Sequence, residues 1–235
     1  MTGLIAIETA TDACSVAVYL NGQVRERHII APRQHSRLIF SLLDELLPGG
    51  DLREQGIEAI AYGCGPGSFT GLRIAASAAQ GLAYSGNLPA IGVSTLAVLA
   101  QSGLREGKVG KGDVVLSTID ARVNEVYSAV FVFEDNLAIL REGPWACAPS
   151  SVLPAEQGSL QALGSGCLFL RQFPKELRQR IRSDHPDLLP CAKDLIPLAL
   201  AKFTRGEVQS PQNVQPVYVR DEISWKKLAE QGKRP

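Results

Sequence analysis

The stretch Gly65-Pro66-Gly67-Ser68-Phe69-Thr70-Gly71-Leu72-Arg73 lies between the apolar run Ile60-Ala61-Tyr62 and the Ala-rich run that begins Ile74-Ala75-Ala76. Three glycines and a proline in that position force a tight passage from strand to helix, because Gly accepts backbone angles that other residues avoid. Such a turn is expected to aim free N–H groups outward at a helix N-terminus, where anions are attracted. It also reads, more simply, as a turn shaped for packing. The familiar phosphate loops do not fit. A Walker loop ends in Gly-Lys-Ser/Thr, whereas these positions read Gly71-Leu72-Arg73. The dinucleotide fingerprint fails because position 70 is Thr. A nucleophile elbow around Ser68 would need Gly where Pro66 and Thr70 stand, so Ser68 is a poor nucleophile.

A chain of 235 residues that is 45% hydrophobic can bury one large core or two modest ones. Its 24 basic and 24 acidic side chains balance, so no global field draws it onto nucleic acid, and an RNA role would need a partner's grip. The five cysteines (Cys14, Cys64, Cys147, Cys167, Cys191) are scattered without a Cys-x-x-Cys pair. That pattern argues against a disulfide framework and a zinc site and fits a reducing cytoplasm. No signal peptide is expected, since the apolar run from Leu4 is broken by Glu8. The uncharged stretch from Ile74 to Leu104 is interrupted by Gln80, Gly81, Ser85, Asn87, Pro89 and Gly92, so a buried helix-strand-helix unit is expected rather than a membrane span.

Along the chain, Leu4–Glu8, Ser15–Leu20 and Gln23–Ile30 are predicted strands of a meander, with Asn21-Gly22 as its second turn. A helix is predicted over Arg37–Leu47 and stopped by Pro48-Gly49-Gly50. Its apolar positions sweep half the circumference or more, wide enough for a partner or for a sandwiched core helix. Ile57–Tyr62 and Ala90–Val93 read as strands, Leu72–Tyr84 as a helix rich in small residues suited to close helix packing, and Thr95–Gln101 as the start of a helix capped by Ser94. Gly103–Gly112 looks like a lobe boundary. Beyond it come strands at Val114–Ile119, Glu125–Phe133 and Leu137–Glu142, a looser stretch from Gly143 to Gly166, and helical patterns near Leu168–Ile181 and Ala192–Arg205. The tail Gln215-Pro216-Val217-Tyr218-Val219-Arg220 is extended and leads to a short amphipathic helix over Ser224–Gln231.

Ile5-Ala6-Ile7-Glu8-Thr9-Ala10-Thr11, Gln34-His35-Ser36, the glycine loop, Ile119-Asp120-Ala121-Arg122-Val123-Asn124-Glu125-Val126-Tyr127 and the Pro216–Arg220 tail together closely resemble the TsaB (YeaZ) family of the actin/Hsp70/sugar-kinase superfamily. The resemblance implies an α/β, two-lobed fold: a complete N-terminal lobe (1–106), a smaller second lobe (107–208), and a tail (209–235) packing back on the first. It implies a non-catalytic paralogue of TsaD, the enzyme that transfers a threonylcarbamoyl group to N6 of adenosine 37 in tRNA. TsaD holds its metal with a His-x-x-x-His pair; the matching positions here are Thr95 and Leu99, so no metal site is expected. Glu8, Thr9, Thr11 and Asp12, with Gly65 and Gly67, match in type the superfamily's phosphate and Mg²⁺ site. They allow weak ATP or ADP binding, though a second lobe of about 100 residues is short for clamping an adenosine. No cofactor is expected to be required. Asp120, Arg122, Glu125 and Tyr127 read as an exposed ion-pair region rather than as catalytic groups.

Three functions compete at this stage. In the first, the chain pairs with TsaD, with TsaE in a larger complex and tRNA reached indirectly, through Arg37, Leu38, Leu42, Arg73, Ser77, Gly81 and Tyr84. In the second, it is a weak nucleotide hydrolase using the 8–12 hairpin and the glycine loop. A protease reading fails for want of a metal pair, a Ser elbow or a Cys/His pair recognisable in the sequence. In the third, the same helices pair with a second copy, and a homodimer is expected when the partner is absent.

Overall fold

The computed structural model describes residues 2–219; Arg220 and the predicted Ser224–Gln231 helix lie outside them. The first half runs β1 (Leu4–Glu8), β2 (Ala13–Leu20), β3 (Gln23–Ile30), α1 (His35–Leu46), β4 (Ala59–Gly65), α2 (Phe69–Ser85), β5 (Ala90–Ser94) and α3 (Thr95–Arg105). The second runs β6 (Val114–Arg122), β7 (Glu125–Glu134), β8 (Leu137–Cys147), β9 (Leu160–Leu163), α4 (Lys175–Arg180), β10 (Ile181–His185) and α5 (Ala192–Thr204). Each half forms a five-stranded sheet, ordered β3-β2-β1-β4-β5 and β8-β7-β6-β9-β10. The meanders are antiparallel and the last two strands of each sheet are parallel to its first. One strand order used twice gives an α/β fold of two lobes. The second lobe is the reduced one: 12- and 17-residue helices cover the outer face of the first sheet, whereas the second has a six-residue α4 and 3-10 turns.

Local chemistry accounts for the meander. Asn21 and Gly22 both have positive φ, 52° and 80°, between the paired residues Leu20 and Gln23. That is the two-residue turn whose twist matches its strands. Asp135 and Asn136 make the same turn between Glu134 and Leu137. All five residues of β1 are buried, as a central strand covered on both faces requires.

The main core lies between the sheets. Leu96, Leu99 and Ala100 of α3 and Leu195, Ile196 and Ala199 of α5 pack there with Ala6, Ala61 and Ile91 from one sheet and Ile119, Phe131 and Phe133 from the other. A second cluster lies under α1 and α2, a third under Phe173 and Leu177. Among the described residues no helix is long and apolar enough to cross a membrane.

The region after β8 departs from the expected pattern. Within the stretch read as loose, residues 143–147 continue β8 beyond its expected end at Glu142, and Leu160–Leu163 forms β9, parallel to β6. The expected helix near 168–181 is a 3-10 segment over Ser165–Gln172 followed by α4 and then β10. A four-residue strand that exists by pairing with β6 and β10, both distant in sequence, leaves no periodic trace of its own. Ser94 holds the N-cap position of α3 without a side-chain capping bond. Ser68 is the capping side chain, accepting from Gly71 N–H at 3.3 Å at the start of α2.

Candidate functional site: the glycine loop and the helical groove

The loop after β4 is closed against the β1–β2 turn. Ser68 N–H donates to the Ala10 carbonyl at 2.7 Å, and Thr9 Oγ1 donates to the Gly71 carbonyl at 2.8 Å. A Cβ at residue 67 would lie 2.6 Å from the Ala10 oxygen, and one at 71 only 2.0 Å from the Thr9 oxygen. These glycines exist so that two backbones can touch. Gly65 has φ of 120°, and a Cβ there would sit 2.7 Å from the Val217 carbonyl, because the tail crosses the loop and Val217 N–H donates to Cys64 O at 2.8 Å. The outward-aimed N–H groups expected of this turn are therefore corrected at Ser68 and Gly71, whose N–H groups bond within the chain.

The polar residues of the first hairpin divide. Glu8 is fully buried, with its Oε1 accepting from Ala10 N–H at 2.8 Å and Oε2 within 3.4 Å of Thr95 Oγ1. Burial pushes its carboxyl up to about 7, against the lowering effect of those hydrogen bonds. Thr9 is also buried, Thr11 is partly covered with its carbonyl 2.8 Å from His35 Nε2, and Asp12 is exposed. Glu8 thus faces Gly63 and α3 inside the protein while Asp12 faces solvent. Thr95 and Leu99, at the positions matched to a metal pair, are both buried, the hydroxyl on Glu8 and the Leu in the inter-sheet core. Asp120 and Arg122 form an ion pair at 3.3 Å with the guanidinium largely in solvent.

Among the described residues the first lobe carries a groove of about 480 Å³ between α1 and α2. It is lined by Ser36, Ile39, Phe40, Phe69, Thr70, Arg73, Ile74, Ser77 and Ala78. Residues 69, 73, 77 and 81 follow one another at helical i+4 spacing, so Phe69, Arg73, Ser77 and Gly81 share a face of α2. The Arg73 guanidinium stacks 3.3 Å from the Phe69 ring centroid and 5.5 Å from that of Tyr218, which lies 6.0 Å from Phe69. Phe40, Phe69 and Tyr84 are 54%, 58% and 70% exposed. Of the residues expected on a partner face, Arg37, Arg73, Ser77, Gly81 and Tyr84 are exposed and Leu38 is half-buried. Leu42 is corrected: it is 2% exposed, packed under α1 with Ile39 and Leu46. The wide apolar face of α1 is accordingly covered from within except at Phe40 and, in part, at Leu38 and Leu47. Phe40 was expected only as one of the apolar positions of α1, and Phe69 and Tyr218 were not expected on a partner face, although a Phe in a glycine turn with an Arg at i+4 is a signal the sequence contains.

Residues 28–162 match the family described as tRNA N6-adenosine threonylcarbamoyltransferase, TsaD. Over 229 residues the chain is 37% identical to the tRNA threonylcarbamoyladenosine biosynthesis protein TsaB of Escherichia coli, covering 96% of this chain and 97% of that one. The chain belongs to the TsaB (YeaZ) family. TsaB of Haemophilus influenzae is 33% identical over 96% of both chains. The solved structure of YeaZ from Pseudomonas aeruginosa superposes with a TM-score of 0.84 at 32% identity, covering 93% of this chain and all of that one. TsaB relatives are named for the biosynthesis of tRNA threonylcarbamoyladenosine.

Proposed function

We propose that this chain is a non-catalytic subunit of tRNA threonylcarbamoyladenosine synthesis, pairing with TsaD through the α1–α2 groove and supporting threonylcarbamoyl transfer to N6 of adenosine 37. The observation that carries the reading is the groove with its exposed Phe40 and Phe69, an Arg over an aromatic ring and small Ser77, continued along α2 by exposed Gly81 and Tyr84, where another helix can come close. Aromatic and Arg side chains are what protein interfaces favour, and small residues let backbones approach. Thr95 and Leu99 supply no imidazole for a metal-assisted transfer, and Glu8 is occupied inside the fold, which supports a helper rather than a catalyst. TsaE joins in a larger assembly, tRNA is reached through the complex, and a homodimer forms through the same groove when TsaD is absent. The balanced charge agrees with an indirect hold on RNA. Weak ATP or ADP binding is compatible with this role but not required by it, and the reading implies a cytoplasmic protein.

The test is formation of threonylcarbamoyladenosine on unmodified tRNA with TsaD, TsaE and the adenylate-forming enzyme held constant. Product that depends on this chain, and survives Asp12→Ala, supports the helper role. Equal product without the chain overturns it and returns attention to nucleotide hydrolysis.

A further inference from the structure

Across the molecule from the groove, three metal-ligating side chains converge. Glu26 and His28 stand two apart on β3, so they point to the same side of the sheet, and Cys191 is the residue before α5. One carboxylate oxygen, one imidazole nitrogen and the sulfur all lie within 4.8 Å of one another, and His28 Nδ1 is 3.3 Å from Cys191 Sγ. Two ligands on a tetrahedral zinc, with bonds of about 2.3 Å to sulfur and about 2.0 Å to nitrogen, stand somewhat over 3 Å apart, so this pair already has the needed spacing.

The surroundings resemble those of a ligand set held in place. Glu26 Oε1 accepts from Ser15 Oγ and Lys193 N–H, each at 3.1 Å, and Oε2 pairs with Lys193 Nζ at 3.0 Å. Cys191 is held by its own N–H to Ser102 Oγ at 3.3 Å, and the Arg105 guanidinium approaches its sulfur at 3.9 Å, against the burial and the Glu26 and Asp194 carboxylates that push the thiol up to about 12. His28 and Cys191 also border a cavity of about 470 Å³ that is lined further by Asp184, His185 and Asp187. Water from that cavity can take a fourth position.

We propose that Glu26, His28 and Cys191 form a binding site for a borderline divalent transition metal, with zinc the best match to one thiolate, one imidazole and one carboxylate. As the S–M bond forms, the Cys191 S–H bond breaks and its proton leaves to solvent; no electron changes hands. With thiolate and carboxylate bound, the dication is neutralised. The ion joins the edge strand of the first sheet to the segment that leaves β10 for α5, so its role is to clamp the two halves. Lys193 competes for Glu26, and the site is correspondingly weaker than a closed structural zinc site.

The test is titration of the reduced full-length chain with Co²⁺, read by thiolate-to-cobalt charge-transfer absorption, with Zn²⁺ as competitor. The expected result is one equivalent per chain, a band abolished in Cys191→Ser and retained in Cys64→Ser, and affinity lowered at least about tenfold in His28→Gln and Glu26→Gln. Lys193→Gln, which frees Oε2, should tighten binding. Metal-free thermal midpoints show whether each variant folds, and if Cys191→Ser does not, the half-buried His28→Gln decides. Absence of the band in the native sequence, its survival in Cys191→Ser, or indifference to both His28→Gln and Glu26→Gln overturns the proposal.

Discussion

The guanidinium of Arg73 lies over the ring of Phe69, 3.3 Å from its centroid and one helical turn along α2. Neither side chain is needed to hold α2 on its sheet, which is done by Leu72, Ala75, Ala76 and Ala79 on the opposite face. Removing the stack should therefore weaken pairing and leave folding alone. Arg73→Glu, which also reverses the charge on that face, is expected to lower affinity for TsaD about tenfold, the size of a lost interface anchor worth more than about 1 kcal/mol. Sedimentation of the mixture measures it, alongside an unchanged thermal midpoint. Undiminished pairing would remove this face from the interface.

Glu8 makes stability depend on pH. Its carboxyl moves from the ordinary 4.5 to about 7 on folding, because burial disfavours the charge. The native state therefore holds the proton more tightly than the unfolded chain. The stability this gives is fully present below about pH 4.5, is lost as pH rises to 7, and changes little above that. The span corresponds to about 3 kcal/mol. Glu8→Gln keeps an acceptor for Ala10 N–H and removes the ionisation, so the drop in thermal midpoint between pH 5 and pH 8 should shrink. An equal drop in the variant would place the dependence elsewhere.

Two glycines of α2 should respond in opposite ways to alanine. At Gly71 the new Cβ would sit 2.0 Å from the Thr9 carbonyl, a backbone atom that cannot step aside, so Gly71→Ala should cost several kcal/mol or prevent folding. At Gly81 nothing lies within 4 Å and the residue is exposed, so Gly81→Ala should stabilise the chain by about 0.5–1 kcal/mol. Urea denaturation of the pair tests this. Gly81→Trp, which the fold tolerates, should weaken pairing with the partner.

Asp194, buried at the start of α5, accepts from Ser102 Oγ and Arg105 Nε, both at 2.7 Å, and ties α5 to α3. Arg105 is a third exposed, so solvent screens part of its worth. Arg105→Met is expected to cost roughly 1–3 kcal/mol, since it leaves a carboxylate with one fewer donor in the interior. Denaturant midpoints would show it, and the double change with Asp194→Leu should be less costly than the sum of the two single changes.

The first lobe was legible because its signals are local. The turn Asn21-Gly22, the glycine-to-helix passage and the clean apolar strands each place an element within a few residues of its observed bounds. The second lobe was less legible: β9 is four residues long and exists by pairing with β6 and β10. At the candidate sites the same division holds. Arg73, Ser77 and Gly81 follow from helical spacing, but Leu42 could not be told from its surface neighbours, because the covering sheet is distant in sequence. His28 and Cys191 are 163 residues apart, so no spacing rule could join them. Glu8 was read as a phosphate-site residue by type. Its burial depends on Gly63 and Thr95, which only the packed strands bring to it.

The exchange of helices between the halves sets an order of assembly. Helix α3 follows the first sheet in the chain yet packs on β6 and β8, while α5, the last helix described, lies against β1, β2, β4 and β5. A nascent chain that has just completed β5 still shows the solvent the inner side of its first sheet, including Leu4, Ala6 and Ile91. Some hundred further residues must emerge before α5 arrives to cover it. Neither half can finish alone: the earlier waits for the later, and unfolding one end should undo both in a single cooperative step.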